Sequence, residues 1–102
     1  MRQFDVYRNP SSTAAAYAPY LIVLQSHYLE GVGSVVVAPA VRDALWLMSE
    51  IEVPFEFNGE VLAITVAELA AVDRAYLSQV VGSAAQHEDA LRRALDRLFT
   101  GF

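Results

Sequence analysis

The sequence contains no cysteine and no lysine. Without cysteine there is no disulfide framework and no thiolate metal site, so only a hydrophobic core can hold the chain together; the absence is also compatible with a reducing compartment. All seven basic residues are arginine, against twelve acidic ones, giving a formal net charge of −5. That balance argues against the strongly cationic face needed to bind a phosphate backbone, although Arg92, Arg93 and Arg97 can form a local patch. No apolar run approaches the roughly 18 residues of a membrane-spanning helix, and no basic segment precedes a short apolar one at the start. Neither export nor membrane insertion is expected, and a cytoplasmic location is the default. The HExxH, GxSxG and P-loop patterns and any clustered metal-ligand spacing are also missing. The two histidines, His27 and His87, stand in unrelated segments, so a general acid and base pair is not evident. Surface or core roles are expected for both, with no metal, no cofactor and no catalysis by this chain.

What is present fits one domain spanning residues 1–102, a length that buries roughly 60 to 70% of the surface of the unfolded chain. The composition is 55% hydrophobic and only 19% charged, which is apolar for a small soluble protein. Part of that apolar surface is expected to meet a partner, most simply a second copy.

Gln3-Phe4-Asp5-Val6-Tyr7 alternates polar and apolar residues at the period of a half-buried strand, and residues 8–19, with Asn-Pro-Ser-Ser near their start, read as a connection. Tyr20 to Leu24 is a continuous apolar run, as in a strand covered on both faces. Gly31-Val32-Gly33 breaks the chain before Val35-Val36-Val37, so the two runs suggest a hairpin. Residues 41–52, which include Trp46 and Met48 as core or interface candidates, fit either a helix or an irregular strand.

The sharpest local signal is VPFEFNGEVLAI. Asn58-Gly59 suits the two positive-φ positions of a type I′ turn, and pairing outward sets Phe55 opposite Leu62 and Val53 opposite Ile64. Thr65-Val66-Ala67-Glu68 has the spacing of a capping box and predicts one or two helical turns, while residues 73–81 are ambiguous between helix and strand. A second capping box, Ser83 with Gln86, precedes Leu91, Ala94, Leu95 and Leu98, which recur on one helical face. Glu88 and Asp89 near the start of this helix and Arg97 near its end complement the helix dipole, and Glu88–Arg92 and Asp89–Arg93 are favourable i,i+4 pairs. The residues thus predict a mainly β fold: an antiparallel sheet packed by a C-terminal α-helix.

In that order of elements the chain resembles the CcdB toxin family, the gyrase poisons of bacterial toxin–antitoxin modules. The resemblance rests on Gln3-Phe4-Asp5-Val6-Tyr7, Val23-Leu24-Gln25-Ser26, Val37-Ala38-Pro39, Asn58-Gly59-Glu60 and Leu98-Phe99-Thr100-Gly101-Phe102. It implies an SH3-like small antiparallel barrel of the CcdB/MazF type, strand within residues 73–81, a two-fold homodimer and neutralisation by a CcdA-like antitoxin.

In that family the last residues, typically Trp-Gly-Ile, engage the A subunit of DNA gyrase and trap the enzyme on cleaved DNA. Carried over by position, the gyrase-binding residues here are Thr100, Gly101, Phe102, Phe99, Asp96, Tyr28 and Leu29. No antitoxin-binding residues are indicated. Thr100 departs from the family, which has Trp at its position; loss of a buried aromatic anchor costs about 2 kcal/mol or more. The barrel is shared with the MazF ribonucleases, so RNA cleavage is an alternative, as is a degenerate homologue that only binds antitoxin.

Overall fold

The computed structural model describes residues 1–26, 33–42 and 51–101. The elements, in chain order, are β1 (Asp5–Arg8), β2 (Tyr20–Val23), β3 (Ser34–Val41), β4 (Glu52–Phe57), β5 (Glu60–Thr65), β6 (Ala70–Asp73), β7 (Val80–Ser83) and the helix α1 (Glu88–Thr100), with short 3-10 turns between several of them. The expected mainly β fold with its C-terminal helix is what the chain adopts.

The strands form one antiparallel sheet in the order β4-β5-β3-β2-β1-β7. The long strand β3 has two partners on one edge: Ala40 and Val41 pair with β5, and Ser34 to Val37 pair with β6. On its other edge lies β2, with Val23 opposite Val37, so the expected pairing of the two apolar runs is present. The sheet curls until its outer strands converge. Phe57 of β4 lies over Gly82 of β7 so closely that a Cβ at position 82 would fall 2.4 Å from the ring. Glycine therefore allows the aromatic side chain to close the gap between the edges.

Alternation along the strands sorts apolar side chains onto two faces. Val6, Ile22, Ala38 and Ala40 point to the face covered by α1, where they meet Phe55, Leu62 and Ile64 from the β4–β5 hairpin. Tyr7, Leu21, Val23, Val35 and Val37 point the other way, under Leu77. This second cluster explains why residues 20–24 are apolar at every position. Burying each such large side chain contributes about 1.5–3 kcal/mol.

The β4–β5 hairpin has the register expected from its turn. Phe55 faces Leu62, Val53 faces Ile64, and Asn58 and Gly59 have φ of 51° and 77°. Arg42, just beyond β3, fixes the first long connection to this hairpin. Its guanidinium bonds both carboxylate oxygens of Glu60 and donates to the carbonyls of Ala15 and Ala16, at 3.2 and 3.0 Å.

Several local expectations change in detail. The first strand begins at Asp5 rather than Gln3, because Gln3 and Phe4 form a turn closed by Asp5 N–H to the Arg2 carbonyl at 3.1 Å. Phe4 has φ 71°, a left-handed conformation costing a bulky residue about 1–2 kcal/mol. Its N–H reaches the Val23 carbonyl at 2.6 Å and its carbonyl accepts from Ala84 N–H at 2.8 Å, so it ties β2 to the approach of α1.

Thr65 does not cap a helix: it ends β5 opposite Glu52, its hydroxyl is buried without a hydrogen-bond partner, and only one 3-10 turn, Val66–Glu68, follows. Residues 73–81 are neither one helix nor one strand. They comprise the end of β6, a 3-10 turn at Arg74–Tyr76 and the start of β7, so the strand implied by the family resemblance lies at both ends. Ser83 makes a shorter-range contact than a capping box, accepting from Ala85 N–H at 3.1 Å, while Gln86 Nε2 lies beside the His87 ring. Of the two charge pairs, Glu88–Arg92 forms at 3.4 Å; among the described residues no ion pair joins Asp89 to Arg93. Trp46 and Met48 lie outside the described residues.

Candidate functional site

Helix α1 does two different things along its length. Leu91 and Ala94, in its first half, are wholly buried against the sheet. Leu95 and Leu98 are half-buried, and Phe99, one turn further, is 70% exposed. The helix thus leaves the core at its carboxyl end and opens an apolar groove of about 340 Å³.

One wall of the groove is Leu95 and Phe99; the others are Leu24, Gln25 and Ser26 beyond β2, Val36 of β3 and Leu69 after the 3-10 turn. The sheet side is held rigidly. Leu24 N–H donates to the Val36 carbonyl at 2.9 Å, Gln25 Oε1 accepts from Val36 N–H at 3.3 Å, and Gln3 Nε2 donates to the Leu24 carbonyl at 2.9 Å. Backbone and side-chain hydrogen bonds together therefore extend the ladder past the end of β2.

The last helical turn is equally well specified. Gly101 adopts the left-handed conformation, φ 80°, and its N–H closes the helix on the Arg97 carbonyl at 3.0 Å. The Thr100 hydroxyl donates to the Asp96 carbonyl, one turn back. Asp96, Phe99, Thr100 and Gly101 are all exposed at this end of the helix, and Phe99 among them lines the groove. Tyr28, Leu29 and Phe102 lie outside the described residues. Leu24, Val36, Leu69 and Leu95 were not anticipated as site residues. Leu95 belonged to the apolar stripe of the helix, and Leu69 follows directly on the Thr65–Glu68 pattern.

The groove presents an apolar contact surface. Its lining is apolar apart from Gln25 and Ser26. Exposed Asp96 and Glu68 directly adjoin Leu95 and Leu69 in sequence, and the carboxyl end of α1 adds the negative pole of the helix. A second cleft of about 330 Å³, near the start of the helix, includes Arg2, Ser83, Glu88 and Arg92. There Arg92 turns to Glu88 and lies 5.9 Å above the Phe4 ring, so its charge is already engaged.

His87 meets Phe55 edge-on at 5.7 Å, with no carboxylate partner among the described residues; His27 lies outside them. No cluster of potential metal ligands is found among the described residues, and no described helix is long and apolar enough to cross a membrane.

Comparison with known proteins adds the family. No curated protein matches the chain. Among solved structures, a crystal structure of an Mtb toxin superposes with a TM-score of 0.70 at 20% identity, covering 80% of this chain and 92% of the other. The Mycobacterium tuberculosis toxin MazF-mt6 superposes with a TM-score of 0.74 at 18% identity, covering 96% of each chain. At these identities the likeness is one of fold. The family model for CcdB protein matches residues 3–101, nearly the whole chain, so the protein belongs to the CcdB family of toxin–antitoxin toxins.

Proposed function

We propose that this protein is the toxin of a type II toxin–antitoxin module that binds the A subunit of DNA gyrase and stabilises the gyrase–DNA cleavage complex. It acts as a homodimer, without a cofactor or catalytic step, and is neutralised by a CcdA-like antitoxin. The observation that carries the reading is Phe99, a large aromatic left 70% exposed on a well-formed helical turn beside an apolar groove. Exposed aromatics of this kind are typical anchors of protein–protein contacts. The surrounding turn also bears Asp96, Thr100 and Gly101, the positions that correspond to the family's gyrase-binding residues.

The supporting experiment combines purified gyrase of the same organism, supercoiled DNA and ATP with the full chain or with a chain lacking residues 100–102. Double-strand breaks that accumulate only with the full chain are the expected result. Equal accumulation with both chains removes the tail from the mechanism. No accumulation, with RNA cleaved instead by the purified protein, replaces gyrase poisoning by the ribonuclease activity associated with the MazF family.

A further inference from the structure

Residues 2–5 form a turn that is closed from both ends. Asp5 N–H donates to the Arg2 carbonyl at 3.1 Å, and Arg2 N–H donates to the Asp5 carboxylate at 2.8 Å. Between them Phe4 is kept at φ 71°, a conformation that a bulky residue adopts only where its surroundings impose it. The strained turn joins two elements. Toward β2, Phe4 N–H donates to the Val23 carbonyl at 2.6 Å and Gln3 Nε2 to the Leu24 carbonyl at 2.9 Å. Toward the helix, the Phe4 carbonyl accepts from Ala84 N–H at 2.8 Å, and Arg92 of α1 lies 5.9 Å over the Phe4 ring. A second glutamine holds the same stretch to β3: Gln25 Oε1 accepts from Val36 N–H at 3.3 Å.

The stretch so held, Leu24 to Ser26, lines the same groove as Leu95 and Phe99. The register of β2 with β3 runs to Val23 opposite Val37; past that point the chain is placed by the Leu24–Val36 backbone bond together with the two glutamines. Building on the gyrase reading above, we infer that Gln3 and Gln25 are positioning residues for gyrase binding: they set residues 24–26 against the end of α1, so that this stretch and Phe99 meet the A subunit as one preorganised surface. Neither glutamine has to touch the partner. Each loss frees the stretch to take other positions, and the freedom must be given up again on binding. The two side chains act with opposite polarity, Gln3 as a donor and Gln25 as an acceptor.

That polarity supplies the test. Glutamate keeps the shape and the acceptor but loses the donor, and methionine keeps the length but loses both. Affinity for the purified A subunit of gyrase is measured by calorimetry for the wild-type chain and for Gln3→Glu, Gln3→Met, Gln25→Glu and Gln25→Met, well below the melting transition of every variant, with sedimentation recorded on the same samples. Gln3→Glu, Gln3→Met and Gln25→Met should each lose about fivefold or more in affinity, whereas Gln25→Glu binds like wild type. The two glutamate variants add the same charge, so the difference between them reports the hydrogen bond. A residue that only stabilises the fold lowers the melting temperature without changing the affinity of the folded chain. Wild-type affinity in Gln3→Met or Gln25→Met therefore overturns the positioning role while leaving gyrase binding intact. Equal losses in the two glutamate variants overturn it as well. A changed sedimentation coefficient gives the glutamines to self-association and also overturns it. Failure of the wild type to bind the A subunit refutes the underlying reading, and the positioning role with it.

Discussion

Phe55 and Phe99 belong to two regions that treat the same side chain in opposite ways. On the β4–β5 hairpin Phe55 is 1% exposed, stacked 5.5 Å from Phe57 and edge-on to His87, and every strong signal around it is local. At the end of α1 Phe99 is 70% exposed, although the turn that carries it is closed by a glycine cap and the Thr100 hydroxyl. Order is therefore not what separates the two regions. The hairpin spends its aromatic surface inside the molecule, whereas the helix end holds its own in a fixed position outside it. A rigid turn presenting a large apolar side chain loses little conformational entropy on binding, which favours a docking role.

The contrast can be broken most forcefully at the hairpin. Phe55→Ala should lower the stability of the fold by about 3–5 kcal/mol, measured by urea denaturation, since it leaves a cavity between the sheet and α1. Gly82→Val comes next. Its Cβ would meet the Phe57 ring at 2.4 Å, and displacing that ring disrupts its contacts with Phe55 and Tyr20; a loss of about 1–3 kcal/mol is expected in the same assay.

Gly59→Ala, at φ 77° in the hairpin turn, should cost about 1 kcal/mol, seen as a lowered melting temperature. The smallest change in stability is expected for Phe99→Ala, within about 0.5 kcal/mol of wild type, because so little of the side chain is buried. A large loss there would give Phe99 to the core and erase the distinction between the regions.

Where the sequence could be read, the physics was short-range or strongly periodic. Asn58-Gly59 carries its own backbone requirement, and the register of six residue pairs follows from it. The stripe of Leu91, Ala94, Leu95 and Leu98 placed α1, although it could not show that burial fades along the helix. The capping pattern at Thr65 failed because strand pairing with Glu52 and a buried side chain held the threonine, and the return of β6 to β3 leaves space for one turn only. The left-handed Phe4 was not visible because its two backbone partners, Val23 and Ala84, are far away in the chain.

The candidate site divides in the same way. Asp96, Phe99, Thr100 and Gly101 were legible through the family resemblance, since they fall within one short stretch of sequence. The groove was not, because it unites the end of β2, the middle of β3, the turn after β5 and α1, and no periodicity links Leu24, Val36, Leu69 and Leu95.

The central claim, that the exposed end of α1 is a surface for gyrase, is tested most directly by Phe99→Ala in a gyrase-mediated DNA cleavage assay, with folding of the variant checked by its melting curve. The expected outcome is a normally folded protein that needs at least about tenfold more toxin to trap the same amount of cleaved DNA. A normally folded variant that traps cleaved DNA at wild-type concentrations would contradict the claim.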